Sequence, residues 1–218
     1  LPAGQGQAPA RQASRGAGVP DHVGCVTINK VCGSGLKAVM LAAQAIRAGD
    51  AEIVLAGGME SMSNVPYLLP QARGGNGTLV DGLVHDGLWD PYKNFHMGNA
   101  GELCARECQI SRERQDEYAA DSYRRAVAAV KGGKFRDEIV AVEVPSRKGP
   151  ATVVADDEQP FKGDADKLAS LRPAFDKAGT ITAGNASTLN DGAAALVVMS
   201  RAEADRRGIT PLATIRGQ

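Results

Sequence analysis

The sequence predicts an α/β fold, a βαβ core with a buried helix that is interrupted by a long excursion and then resumed. Three segments carry that expectation. "HVGCVTINKV" (22–31) has the β-branched density of a strand. Leu36, Val39, Met40, Ala43 and Ile46 recur at helical spacing, and Ala38, Ala42 and Ala45 stand where a surface helix would carry charges, so this helix reads as covered nearly all round. "AEIVLAGG" (51–58), beyond the helix-ending Gly49, is an apolar run suited to a sheet covered on both faces. Strand, buried helix and strand of these lengths predict a right-handed crossover between parallel strands.

The other elements follow in order. Residues 1–22 are rich in Gly, Pro, Ala and Gln, with a short helix around Ala10–Ala17. From Ser61 the chain turns to Pro, Gly and aromatics, a stretch too long for a plain connection and therefore a functional excursion. Inside it, one helix covers about Gly98–Cys108, and a second begins after Ser111 as N-cap. The Tyr118, Ser122 and Arg125 side of the second helix is interspersed with charges, as on a solvated amphipathic helix. "EIVAVEV" (138–144) reads as a strand, "AALVVMS" (194–200) as a buried strand and "RAEADRRGI" as a short surface helix. There is no internal repeat. Leu1 stands where a start Met would, and "PLATIRGQ" stops inside strand-like composition, so the chain reads as a segment of something longer.

Composition removes several function classes. Lys plus Arg equals Asp plus Glu at 25 each, and aromatic residues make up 4%, which leaves neither a basic stripe nor stacking platforms for nucleic acid. No apolar run approaches a bilayer span, and no signal-like segment opens the chain. A soluble, cytoplasmic protein with no membrane partner is expected. Cys25, Cys32, Cys104 and Cys108 form no CxxC pair and lack ligand-spaced histidines, so no metal site is expected. Cys104 and Cys108, four apart on one helix face, read as small buried hydrophobes.

The stretch "VCGSGLKAVMLAAQAI" (31–46) admits two chemistries. Gly33, Gly35 and Ala38 fit G-x-G-x-x-G/A between a strand and a helix, with the acidic Glu60 ending the next strand, which resembles a dinucleotide-phosphate cradle. Glycines also occur there because packing is tight. Alternatively, Cys32 is a nucleophile: a helix N-terminus favours a thiolate over a thiol, and a nearby backbone amide can donate to a developing oxyanion. A buried inert cysteine is the plain alternative.

Longer segments separate these readings. "INKVCGSGLKAV" (28–39) followed by "AGGMESMSNVP" (56–66) resembles the nucleophilic-cysteine signature of the thiolase family. The likeness continues through "GQAPARQA" (6–13), "DGLWDPY" (86–92), "HMG" (96–98), "SRERQDEYA" (111–119), "LRPAFDKAGTITAGNASTLNDGAAALVVMS" (171–200) and "PLATI" (211–215), in the family's order. The resemblance implies a thiolase-type fold: residues 1–62 and 176–218 as a partial N-terminal core whose last residues begin the C-terminal domain, and 63–175 as an inserted loop domain for CoA binding and oligomerisation. It implies an acyltransferase that cleaves acetoacetyl-CoA with CoA, or condenses two acetyl-CoA, through an acyl group on Cys32. Longer-chain 3-ketoacyl-CoA cleavage and a non-catalytic CoA-binding or dimer-forming module are the alternatives. Leu88, His96, Met97, Phe175, Ala183 and Ser187 would line the CoA site by matched position, and His96 before Met-Gly favours short acyl chains. No cofactor is implied, CoA thioesters being substrates, and self-association as a dimer or tetramer is expected. Glu60 becomes a structural residue in the loop after the second strand. Lys162, in the divergent segment 157–170, is left without an assigned role.

The sequence contains no GHPxG-like or CxGGG-like stretch, and its three histidines, His22, His85 and His96, lack the context of the family's activating histidine. The chain therefore reads as roughly the middle half of a thiolase. By itself it is expected to show little or no activity, since a general base typically contributes about 10²–10⁴-fold.

Overall fold

The computed structural model describes residues 1–146 and 149–218. The chain forms two compact units, Leu1–Trp89 with Leu189–Gln218, and Asp90–Thr188.

In the first unit, Pro9–Gly16 and Ser34–Ala48 are helices, as expected. Gly49 closes the second helix in the left-handed region at φ 82°, the conformation only glycine adopts without a steric cost. This helix lies across the strand Ile53–Ser61, and the contact is close because two glycines face each other. A Cβ on Gly58 would stand 3.2 Å from the Gly35 Cα. The glycine of the G-S-G motif thus serves helix–strand packing. Ile53–Ser61 pairs antiparallel with Asp191–Met199, from Ile53 opposite Met199 to Ser61 opposite Asp191. A Cβ on Gly57 would strike the Ala194 carbonyl of that partner.

The α/β class holds, and several particulars differ from expectation. Residues 24–29 carry no ladder, and the segment ends in an isolated bridge between Lys30 and Cys32. A strand exists only where a neighbour accepts its hydrogen bonds, and none lies beside this one among the described residues. The parallel crossover is therefore not formed. The long strand's partner comes from far along the chain, a pairing that local periodicity does not encode. Nor is the helix Ser34–Ala48 covered all round: only Ala42 and Ala43 are buried, and Leu36 is 76% exposed. Asp191–Val197 are exposed despite their apolar composition, because a two-stranded sheet with one helix leaves much of its surface open. Glu60 lies within the strand opposite Gly192 rather than in the following loop. Residues 211–218 form no strand.

The join after the strand is held electrostatically. The Asp191 carboxylate accepts from the Ser63 amide at 3.0 Å and from the Ser63 hydroxyl. These bonds hold its pKa below the ordinary carboxylate value, the Ser63 hydroxyl contributing most. A lowered pKa means the folded state favours the charged form, so this stabilisation is complete above the unfolded value, near pH 3.9, and lost as pH falls through the folded one. The melting-temperature difference between the wild type and Asp191→Asn should therefore be constant from pH 7 to about 5 and close below about 4. A difference that stays constant down to pH 2.5 would contradict the assignment.

In the second unit, helices Met97–Glu107 and Arg112–Lys131 appear where the sequence places them, and the Ser111 hydroxyl accepts from the Arg114 amide as N-cap. The expected strand over 138–144 shrinks to Val142–Val144, paired antiparallel with Thr152–Val154. Residues 135–139 are instead drawn into turns, with the Glu138 and Ile139 amides both bonded to the Phe135 carbonyl. Helix Arg112–Lys131 packs against Gln159–Lys162 and Ala165–Ser170, burying Leu168. The rest of the interior is strongly polar: Glu102, Asp116 and Thr182 are buried beside Ala105 and Ala119.

The joins between the units fall at 89/90 and 188/189, where the sequence suggested 62/63 and 175/176. The reason is in the bonds. Ser63 is tied to Asp191 within the first unit, while Thr180, Ile181 and Asn185 bond to Glu102 and Asp116 within the second.

Candidate active site

Cys32 is the exposed thiol at the entry to helix Ser34–Ala48. The turn that presents it is closely determined. The Asn29 carboxamide oxygen accepts from the Val31 amide at 2.8 Å. The Ser34 hydroxyl accepts from the Lys30 amide at 2.8 Å and donates to the Val31 carbonyl at 2.7 Å. The amides of Gly33 and Ser34 bond back to the carbonyls of Lys30 and Val31. Val31 sits at φ 48°, a left-handed conformation that crowds a β-branched side chain. Such strain persists where the surroundings over-determine it, and it concentrates at functional sites. Gly33 is the helix N-cap and supplies no side-chain acceptor, so the positive end of the helix is left open beside the thiol.

The other thiols differ. Cys25 is half-buried, and its pKa is lowered by the Ser14 hydroxyl first and then by Arg11, whose guanidinium lies 3.8 Å from the sulfur. Cys104 and Cys108 share a helix face as the spacing requires, but both are exposed rather than buried, because that face of the helix end meets solvent. Their mutual hydrogen bond is the main cause of the raised Cys108 pKa. No cluster of three metal-ligating side chains occurs among the described residues.

Leu88 belongs to the same unit as Cys32. It ends the π-helical turn Val84–Leu88 and is half-buried.

His96, Met97, Phe175, Ala183 and Ser187 belong to the second unit, which brings the first three together. His96 is the N-cap of Met97–Glu107, with Nδ1 accepting from the Gly98 amide at 2.9 Å. In the neutral ring that bond puts the proton on Nε2, leaving it as a donor. The Phe175 ring stacks on His96 at 5.0 Å between centroids and 21° between planes. Gly98 makes this possible, since a Cβ there would land in the Phe175 ring. Met97 is exposed beside the pair. Ala183 and Ser187 are exposed on the segment that follows Thr182. Lys162 pairs with Glu158 at 2.7 Å.

Sequence reasoning missed the residues that hold this segment. The Glu102 carboxylate accepts from the Thr180 and Ile181 amides. Asp116 accepts from Arg112 at 2.7 Å and from the Asn185 carboxamide at 2.9 Å. Arg112 also donates to the Leu168 and Leu171 carbonyls. Asn185 in turn accepts from the Thr182 amide at 2.7 Å. One signal was available: Glu102 falls four after Gly98 and three before Ala105, on the helix's inner stripe, where a carboxylate requires partners.

Comparisons with known proteins place the chain in a family. The family pattern described as "Thiolase, N-terminal domain" matches residues 1–202. An acetyl-CoA acetyltransferase of Cupriavidus necator is 58% identical over 99% of this chain and 56% of its own length. One from Yarrowia lipolytica is 56% identical over 99% of this chain and 54% of its own. A crystal structure of the Acat5 thiolase from Ascaris suum in complex with coenzyme A superimposes with a TM-score of 0.86 at 43% identity, covering 96% of this chain and 54% of that one. The chain spans just over half the length of these relatives. It belongs to the thiolase family.

Proposed function

We propose that the full-length protein carrying this chain is an acetyl-CoA C-acetyltransferase working through an acetyl group on Cys32. The Cys32 thiolate attacks the carbonyl of acetyl-CoA, and the CoA thiolate leaves and takes up a proton. A second acetyl-CoA loses a proton from its methyl carbon, and that carbanion attacks the acetyl-Cys32 carbonyl. A carbon–carbon bond forms, the Cys32 thiolate departs and acetoacetyl-CoA is released. In reverse, CoA cleaves acetoacetyl-CoA. Covalent catalysis divides one difficult step into two.

The observation that carries this reading is the exposed thiol at an open helix start, presented by a strained turn and matching a family whose relatives are named acetyl-CoA acetyltransferases. The chain's own residues take the supporting roles. Phe175 and Met97 provide apolar surface for the pantetheine arm, and Ala183 and Ser187 meet it along its length. His96, its Nδ1 occupied by the Gly98 amide, offers Nε2–H to the thioester end. The Ascaris relative is a complex with coenzyme A, which supports CoA as a ligand of this protein. The excursion read over 63–175, whose compact part is Asp90–Thr188, acts as a loop domain for CoA binding and oligomerisation. The protein self-associates, works in the cytoplasm and needs no cofactor. No helix among the described residues is long and apolar enough to cross a membrane.

Incubation of the full-length protein with isotope-labelled acetyl-CoA, followed by proteolysis at low pH and mass spectrometry, should find the label on the peptide containing Cys32. Label on Cys25, or on no cysteine, would overturn the reading.

A further inference from the structure

Glu102 is a buried carboxylate with an unusual environment. It is 7% exposed and sits in the middle of helix Met97–Glu107, on the face turned to the 173–182 segment. A helix has no need of a carboxylate there, and burying one is costly unless donors surround it. Here they do. The Thr180 amide lies 3.0 and 2.8 Å from the two oxygens, the Ile181 amide donates at 2.8 Å, and the Thr180 hydroxyl donates at 3.0 Å. The Thr180 hydroxyl itself accepts from Gln115 at 2.9 Å. Two glycines clear the approach: a Cβ on Gly179 would strike the Glu102 carboxylate, and one on Gly101 would strike Ile181.

The segment so held is a short hairpin. The Ala174 amide bonds to the Ile181 carbonyl at 2.8 Å, and Pro173 bridges Thr182. One end of the hairpin carries Phe175, which stacks on His96 at the start of the same helix. The other end runs into Thr182, which is 0% exposed, and then into Ala183 and Ser187. The helix therefore grips this segment at two points, His96 against Phe175 and Glu102 against Thr180.

We infer that Glu102 is a positioning residue for coenzyme A binding: its carboxylate sets the hairpin so that Phe175 lies over His96 and the Ala183–Ser187 segment faces the pantetheine arm. This rests on the CoA reading above. Glu102 touches neither the ligand nor the reacting atoms. It acts through Thr180 and Ile181, so its loss should appear in substrate affinity before it appears in turnover.

The test compares wild type, Glu102→Gln and Thr180→Val in the full-length protein, by circular dichroism, CoA titration calorimetry and thiolysis kinetics. Glu102→Gln keeps the shape and turns an acceptor into a donor facing the Thr180 amide. Thr180→Val removes one donor from the carboxylate with little change of volume. Both should fold, with the KM and Kd for CoA raised about tenfold and kcat held within about threefold, a split expected when uniform binding is lost. Folded variants with unchanged KM and Kd would overturn the inference, as would a fall in kcat at constant KM. Collapse of both variants would also overturn it, since Glu102 would then serve the fold alone. Absence of CoA binding by the wild type would instead overturn the functional reading, and this inference with it.

Discussion

Cys32→Ala should remove essentially all acetyl transfer from the full-length protein, a loss of about 10⁴-fold or more, the scale seen when a covalent nucleophile is deleted. The fold should be untouched. Cys32 is exposed, so alanine forfeits no packing, and the turn around it is held by Asn29, Lys30, Val31 and Ser34 rather than by the sulfur. The melting temperature is expected to stay within about 0.5 kcal/mol equivalent of wild type, as for surface substitutions away from such contacts. Cys25→Ala is the informative companion. The Cys25 thiol has a lowered pKa, so a reagent that selects reactive thiolates can label it. Loss of turnover in Cys32→Ala with retention in Cys25→Ala assigns the chemistry to the exposed sulfur. Full turnover after Cys32→Ala would end the mechanism.

Gly98→Val is expected to have the second largest effect. The added carbons would occupy the space of the Phe175 ring, so the ring must leave His96 or the helix must move. Overpacking of this kind costs about 1–3 kcal/mol. The loss should register in thermal melts, with a weakened CoA titration, since both rings of the stack belong to the proposed pantetheine site. Gly192→Ala is the control, because nothing lies within 4 Å of a Cβ there. Equal stability of Gly98→Val and wild type would show that the Phe175 ring is free to leave at no cost.

Much of this was legible from residue order. The helices Pro9–Gly16, Ser34–Ala48, Met97–Glu107 and Arg112–Lys131 follow from spacing and end signals such as Gly49 and Ser111, which act over a few residues. The motif around Cys32 was ambiguous taken alone. Gly35 illustrates why, since the same residue answers a phosphate cradle and a tight helix–strand contact, and the structure uses it for the contact. Only the longer ordered segments from "GQAPARQA" to "PLATI" pointed to the family.

By itself, then, the sequence determined where helices begin and end, which thiol stands at a helix start and which family the chain resembles, because these depend on neighbours a few residues apart or on ordered motifs. The tertiary structure decided the rest. It alone paired Ile53–Ser61 antiparallel with Asp191–Met199, left residues 24–29 without a ladder and exposed Leu36. It also enclosed Glu102 and Asp116 with donors from Thr180, Ile181 and Asn185, each more than sixty residues away. Strand pairing and burial are set by whichever surfaces meet across that distance, and no local pattern of residues records the meeting.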